Sequence, residues 1–274
     1  MTYFLNFRSQ AVGGPVVDPY LLTGDGSAAP AAVSVVPSSE VSSIFAGKHV
    51  LFVTHGFNVS YQDGANSLEL LGRYLDLASP YLFVGMLWPG DAWIPIVDYP
   101  FEGDVAIDCG KRLANFCNAS CVGAQSLSFA SHSLGARFLL QAIAGLNRRA
   151  KLLCMMAGAV NRDCLSAEYA SIAAKCDRIA ALASHCDDVL KLAFTIGDPF
   201  ADLLHDDHTP FRPALGYDGP ATPTTVVAPW QIPDTLDYGH GSYMPPGPGD
   251  NRWPYAANFL LSNFYCERVT WPTG

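Results

Sequence analysis

Charged residues are scarce in this sequence, and no run of basic residues occurs in it. Only 15% of the 274 residues are Asp, Glu, Lys or Arg, and the formal net charge is −9. Nucleic acids and anionic membrane surfaces are bound by basic faces, because both carry dense negative charge. The composition therefore argues against nucleic acid and against an anionic membrane as partners.

Long apolar stretches are also missing. No segment reaches the ~18 uncharged apolar residues that a membrane-spanning helix requires. The first residues, MTYFLNFRSQAVGG, lack the basic start and long apolar centre of a secretory signal. We therefore expect no integral membrane segment and a cytoplasmic location, with a secreted form left open. Since 50% of the residues are hydrophobic, we expect a well-packed globular protein.

Cysteine is too sparse for a disulfide scaffold, with eight residues in a long chain. Several of them fall inside predicted helices or strands, which favours buried free thiols. Cys117 and Cys121 have C-x3-C spacing, but no second pair or histidine follows at zinc-site spacing. The segment LLHDDHTP, with His205, Asp206, Asp207 and His208, resembles a metal cluster, although such runs are usually solvated loops. We expect neither a metal nor a cofactor.

Short apolar runs alternate with helical patterns along most of the chain. Apolar strands that are each followed by a helix predict a parallel sheet covered on both faces. The fold class predicted is α/β, with a doubly wound, mostly parallel sheet. The predicted strands are His49–Thr54, Tyr81–Leu87, Ser126–Ser131, Lys151–Ala157, Arg178–Ala183 and Thr224–Ala228, and the predicted helices are 62–78, Asp104–Phe116, Leu134–Leu146 and Tyr255–Cys266.

The remaining segments are assigned to an edge extension and to loops. Residues 1–47 are expected to add antiparallel edge strands at Tyr3–Phe7 and Ala32–Val36. No change in composition marks a boundary, so we expect one domain over 1–274. Long irregular stretches in a compact domain are commonly functional, and we expect cap or lid loops at 88–101 and 197–223.

The stretch FASHSLGA, residues 129–136, lies where the third predicted strand meets a helix. A serine on such a turn is held at the carboxyl end of the sheet, in the nucleophile elbow usually written G-x-S-x-G. Here Ser131 replaces the first glycine, which leaves the geometry of the turn open. The alternative is that Ser133 only caps the helix.

A second segment supports the interpretation of Ser133 as a nucleophile. His55-Gly56-Phe57 follows the first predicted strand, and a glycine there lets the backbone approach closely. In acyl transfer, two backbone amides stabilise the oxyanion of the tetrahedral intermediate. We expect these amides to be those of Phe57 and Leu134.

A serine nucleophile needs a histidine base and an orienting carboxylate, in the chain order Ser, Asp, His. Asp187 and Asp188 follow the fifth predicted strand, and we favour Asp187, with Asp188 as a helix cap. His240 follows the sixth predicted strand and is the favoured base, with His208 as the alternative. His132 adjoins the serine and is expected to point to the sheet side of the elbow, while His185 precedes the acid.

Five motifs together resemble the α/β-hydrolase superfamily: HGF at 55–57, MLWPGD at 86–91, SHSLGA at 131–136, SHCDDVLKL at 184–192 and GHGSYM at 239–244. More narrowly, they resemble a little-characterised bacterial branch of esterase- and lipase-like serine hydrolases. The resemblance covers about 48–245. It implies Ser133 as nucleophile, Asp187 as acid and His240 as base, with Phe57 and Leu134 as oxyanion donors.

The loop WPGDAWIPIVDYPF is rich in aromatic residues, which suits the wall of an apolar pocket. We expect His55, Trp88 and Trp93 to contact the substrate, although the loop could instead pack onto the core. The function expected is hydrolysis of short- to medium-chain neutral carboxylic esters, small molecules, through an acyl-enzyme. Lipase or thioesterase activity and a non-catalytic binding protein on the same fold are the alternatives, and the oligomeric state stays open.

Overall fold

A single mixed sheet organises the chain. The computed structural model describes residues 2–9, 14–24, 33–91, 95–195, 213–222, 225–245 and 251–269. Within these residues eight strands pair in the order β3-β2-β1-β5-β4-β6-β7-β8. The strands are β1 (Tyr3–Arg8), β2 (Val16–Gly24), β3 (Val33–Val35), β4 (His49–Thr54), β5 (Tyr81–Leu87), β6 (Ser126–His132), β7 (Leu152–Met156) and β8 (Ile179–Leu182).

Strand direction divides the sheet into two parts. The pairs from β1 through β5, β4, β6 and β7 to β8 are all parallel, whereas β2 runs antiparallel to both β1 and β3. The expected mostly parallel sheet with an antiparallel edge is therefore confirmed. The strand β1, expected at the edge, is third from it, because β5 pairs with one side of β1 and the unpredicted strand β2 with the other. The strand β3 lies at the edge.

Helices pack on the two faces of the sheet. They are α1 (Ser38–Phe45), α2 (Tyr61–Leu75), α3 (Pro95–Ser120), α4 (Gly135–Gly145), α5 (Asp188–Thr195), α6 (Leu215–Asp218) and α7 (Trp253–Phe264). Phe45 of α1 contacts Phe52 of β4. Leu68 of α2 lies against Gly85, which pairs with Val53. Since Phe52 and Val53 are adjacent in a strand, α1 and α2 cover opposite faces.

Two predicted segments differ from the structure. The predicted strand Thr224–Ala228 is wrong over its described residues, 225–228, where Val227 makes an isolated bridge to Ala180. Pro229 follows it and has no N–H to continue a ladder, which explains the short pairing. In the predicted loop 88–101, the helix α3 already begins at Pro95. Proline fits the first helical position because the N–H there has no helical partner.

The order of the strands places the ends of β4 and β6 side by side. The chain passes from β4 to β5 on one side of β4 and later returns to β6 on its other side. In the parallel register, Thr54 is opposite Ser131. Ligands of open α/β sheets bind at the carboxyl ends of strands at such a switch point. The two motifs HGF and SHSLGA therefore meet at this edge.

Six of the eight cysteines are buried, among them Cys117 and Cys121. Within the described residues, none of the helices has the length and apolar character required to cross a bilayer. The expected lid segment 197–223 falls largely outside the described residues.

Close packing of α3 on α4 yields a stability prediction. A Cβ at Gly110 would lie 2.6 Å from the Phe138 carbonyl oxygen and 2.7 Å from Gln141 Cβ. We expect Gly110→Ala to lower the free energy of unfolding by about 1–3 kcal/mol, because the helices must separate. In Gly123→Ala, the nearest atoms would be 3.5 Å away, and we expect a change below about 0.5 kcal/mol. Urea unfolding measures both, and equal midpoints for the two variants would contradict the prediction.

Candidate active site

The turn between β6 and α4 holds Ser133 in an uncommon backbone conformation. Its φ is 53°, in the left-handed region that non-glycine residues rarely occupy. The Ser133 amide donates to the Met156 carbonyl at 3.0 Å, and the Ser133 carbonyl accepts from Ala159 at 3.1 Å. These bonds hold the strained residue from the side of β7. Such strain is typical of functional sites.

The turn accepts serine at position 131 but needs glycine at position 135. A Cβ at Gly135 would lie 2.8 Å from both the His55 carbonyl oxygen and Thr54 Cγ2. Ser131 is fully buried, and its hydroxyl has no hydrogen-bond partner among the described residues. The first glycine of the elbow pattern is therefore replaceable by a small residue here, whereas the second is required for α4 to approach β4.

The structure brings together three of the residues singled out from the sequence. His240 Nε2 lies 2.9 Å from Ser133 Oγ, and His240 Nδ1 lies 2.8 Å from Asp187 Oδ2. A carboxylate only accepts hydrogen bonds, so Nδ1 carries the proton and donates to Asp187. In the neutral ring, Nε2 then accepts from the Ser133 hydroxyl. This continuous chain has the geometry required to withdraw a proton from serine.

Asp187 also directly precedes α5, which begins at Asp188. Its Oδ1 accepts the Leu190 amide at 3.0 Å, so one carboxylate oxygen caps the helix while the other faces His240. The side chain is fully buried, and the positive end of α5 favours its negative charge. The capping role expected of Asp188 belongs to Asp187, since the Leu190 amide donates to Asp187 Oδ1. Asp188 is exposed.

The other histidines considered from the sequence near the serine or the acid are His132, His185, His205 and His208. His132 does not point to the sheet side of the elbow, because its Nε2 lies 2.8 Å from the His240 carbonyl oxygen. Desolvation, and next the proximity of His240, lower the pKa of His132 from 6.5 to about 3. His185 is exposed and lies 3.7 Å from Asp218. His205 and His208 lie outside the described residues.

The expected oxyanion donors, the amides of Phe57 and Leu134, belong to the loop after β4 and to the turn before α4. A Cβ at Gly56 would be 2.8 Å from Ser133 Cβ, so the loop after β4 touches the serine through a glycine. Phe57 follows and is partly buried against the core. Leu134 is fully buried, and its amide directly precedes α4. Leu134 thus adjoins Ser133 in the chain, and Phe57 follows the glycine that contacts it. The role of both amides stays a prediction.

His55 and Trp88, which are expected to contact the substrate, lie buried against each other. Both are buried, with 2% and 0% of their surface exposed. His55 Nδ1 bonds the Gly56 carbonyl and its Nε2 accepts from the Trp88 amide. The Trp88 indole donates to the His55 carbonyl at 3.0 Å, and the rings stack. The two side chains therefore hold each other and the loop after β4. Their expected contact with a substrate stays a prediction. Trp93 lies outside the described residues.

Sequence reasoning missed a buried ion pair that joins the loops of the site. Arg8, at the end of β1, lies 2.9 Å from Asp91 and also donates to the Val59 carbonyl. It thereby links the segment after β4 to the segment after β5. The signal was an arginine at the end of the apolar strand YFLNFR, where a charged residue that is largely buried needs a partner.

Metal-binding side chains do not cluster in the described part of the chain: no group of three or more His, Cys, Asp or Glu residues is arranged there to hold an ion. The residues 205–208, which resemble such a cluster in sequence, lie outside it.

Comparisons with known proteins match one family model and 13 solved chains. A family model described as "Alpha/beta hydrolase of unknown function (DUF900)" matches residues 39–204, more than half of the chain. No curated protein matches. Among solved structures, one titled "Crystal structure of esterase PE8" superposes with a TM-score of 0.43 and 16% sequence identity, covering 78% of this chain and 92% of that chain.

The buried state of His55 predicts a pH effect. Desolvation, and next the charge of Arg8, lower its pKa from 6.5 to about 3. As the pH falls below 6.5, the unfolded chain therefore takes up this proton before the folded chain does. The contribution of His55 to stability is complete above about pH 6.5 and is lost progressively towards pH 3, by at most about 1.4 kcal/mol per pH unit.

An NMR titration of the imidazole resonances tests this directly. We expect the His55 ring signal, assigned by its loss in His55→Gln, to stay constant from pH 8 to pH 5. A titration midpoint near 6.5 for this signal would contradict the buried neutral state.

Proposed function

The chain belongs to a family of alpha/beta hydrolases of unknown function, and on that premise we propose that it is a serine hydrolase that cleaves carboxylic esters with a Ser133–His240–Asp187 triad. The single observation that carries the proposal is the continuous hydrogen-bonded chain from Ser133 Oγ through His240 to Asp187, with links of 2.9 and 2.8 Å. A helix-capping role for Ser133 would not require a histidine in contact with its hydroxyl.

In the proposed reaction, Ser133 Oγ attacks the ester carbonyl carbon while its proton passes to His240 Nε2. Asp187 stabilises the imidazolium that forms, because its buried carboxylate already holds the ring through Nδ1. His240 then donates the proton to the departing alcohol, which leaves an acyl-serine. A water molecule then attacks the acyl carbon while His240 Nε2 takes its proton. His240 returns this proton to Ser133 Oγ as the acyl bond breaks, which releases the acid and restores Ser133.

The amides of Phe57 and Leu134 are proposed to stabilise the oxyanion of both tetrahedral intermediates. Loss of one such donor typically raises the activation free energy by about 3–4 kcal/mol. The proximity of Gly56 to Ser133 supports this assignment on one side. On the other side, Leu134 directly follows the serine at the start of α4.

Neutral esters of short to medium chain length are the proposed substrate class. The net charge of −9 disfavours anionic substrates, since the field of the protein repels them. Ester hydrolysis requires no metal or cofactor, and the three side chains supply the nucleophile, the base and the orienting charge.

Replacement of the nucleophile is the first test. We expect Ser133→Ala to lower kcat for p-nitrophenyl esters by about 10⁴-fold or more, because no other group of the triad can form the acyl-enzyme. Fluorophosphonate labelling should also disappear. A series of esters from acetate to palmitate, with a thioester added, ranks esterase against lipase and thioesterase activity.

Ser128→Ala is the matched control for that variant. Ser128 is buried on β6, the strand that precedes Ser133, and its hydroxyl has no partner in the described part of the chain. Its replacement should leave activity and labelling unchanged. If Ser133→Ala and Ser128→Ala both retain wild-type activity, Ser133 is a structural residue and a non-catalytic binding protein becomes the better interpretation.

The two neighbouring aspartates make a second test. Asp187→Asn keeps a side chain that can cap α5 but removes the charge that orients and stabilises His240. We expect kcat to fall by about 10⁴-fold with little change in thermal stability. Asp188→Asn, at an exposed position, should change kcat by less than about twofold. The reverse order of the two effects would assign the acid to Asp188.

A further inference from the structure

We propose that His132 is a positioning residue that fixes the backbone of His240, so that the base reaches both Ser133 and Asp187. This inference rests on the proposed function of the same site. It gives a role to the histidine that directly precedes the serine, which the triad mechanism leaves unused.

The contact between the two histidines is direct. His132 Nε2 lies 2.8 Å from the carbonyl oxygen of His240, and the ring centroids are 4.9 Å apart. The ring of His132 also lies 5.9 Å from that of Tyr243, which is fully buried at the end of the same 3-10 helix. His132 therefore contacts the short segment His240–Tyr243 at its first and last residues.

The carbonyl partner determines the protonation of His132. A carbonyl oxygen only accepts, so Nε2 carries the hydrogen and Nδ1 is bare in the neutral ring. Nδ1 faces the loop after β4, since a Cβ at Gly56 would lie 2.9 Å from it. With its pKa near 3, the ring is neutral at every pH where a triad operates. It therefore places no positive charge beside the imidazolium that forms on His240.

The segment that carries His240 needs such a restraint. Gly239 and Gly241 flank the histidine, and a Cβ at either position would meet nothing within 4 Å. Glycine permits many backbone conformations, and in this segment the Gly239 carbonyl accepts the Ser242 amide at 3.0 Å. The hydrogen bond from His132 to the His240 carbonyl restricts this freedom. It does so at the residue whose ring must bond both Ser133 and Asp187. Misplacement of a catalytic group by about 1 Å costs on the order of 100-fold in rate.

A set of three variants separates the hydrogen bond from simple packing. The amide nitrogen of Gln lies about as far from the backbone as the Nε2 of histidine, so Gln can donate the same hydrogen bond. The amide of Asn is one bond shorter and cannot reach the carbonyl. Phe fills the space of the ring but has no donor. We expect His132→Asn and His132→Phe to lower kcat and the rate of fluorophosphonate labelling by about 10- to 100-fold, with KM changed less than about twofold. His132→Gln should recover to within about fivefold of wild type.

His49→Phe is the matched control. His49 makes an imidazole hydrogen bond of the same length, 2.8 Å to Ser126 Oγ, at the opposite end of the same sheet. Its loss is expected to change the melting temperature but not kcat. A purely structural role for His132 would produce the same pattern in the His132 variants.

The outcomes distinguish this inference from the proposed function. Slow Asn and Phe variants with recovery by Gln support the positioning role, and if the Phe variant does not fold, the contrast of Gln with Asn carries the test. Wild-type rates in the Asn variant, or a Gln variant as slow as the Asn variant, would overturn the inference alone. A wild-type protein that is neither labelled nor active would overturn the proposed function, and this inference with it.

Discussion

The parallel pairing of β4 with β6 is the constraint on which the site depends. Because Thr54 stands opposite Ser131 in this register, the two strands end at the same level of the sheet. The loop after β4 and the elbow after β6 then meet. Gly56 and Gly135 permit this contact, because a Cβ at either position would overlap the facing segment. A shift of the register by one residue would also turn every side chain to the other face.

Each side chain of the proposed triad is held at the end of an element of secondary structure. Ser133 has a strained turn whose amide bonds the carbonyl of Met156. Asp187 caps α5 with the oxygen that His240 does not use. His240 begins a 3-10 helix and has its carbonyl bonded by His132. Backbone hydrogen bonds thus restrain the orientation of each functional group before a substrate is present, which is the preorganisation that catalysis requires.

The aromatic and histidine residues around the site illustrate why sequence patterns do not predict which partners a side chain contacts. His55 and Trp88 carry the composition of a binding wall, but they bond each other's backbone and are buried. The position of His132 beside the serine predicts a ring on the sheet side of the elbow. Its ring instead contacts a carbonyl 108 positions later in the chain. Which nitrogen faces which partner depends on the approach of distant loops, and local spacing contains no information on that approach.

The sequence by itself determined the class of fold and the order of the motifs. Apolar runs of strand length, helical periodicity and the small residues around Ser133 are local signals, so the parallel strands and the elbow could be predicted from them. Only the tertiary structure decided that β1 lies inside the sheet, that Val227 makes a single bridge and that Asp187 faces His240 while Asp188 is exposed. The physical reason is that pairing, burial and hydrogen-bond geometry at these positions are properties of contacts between remote segments.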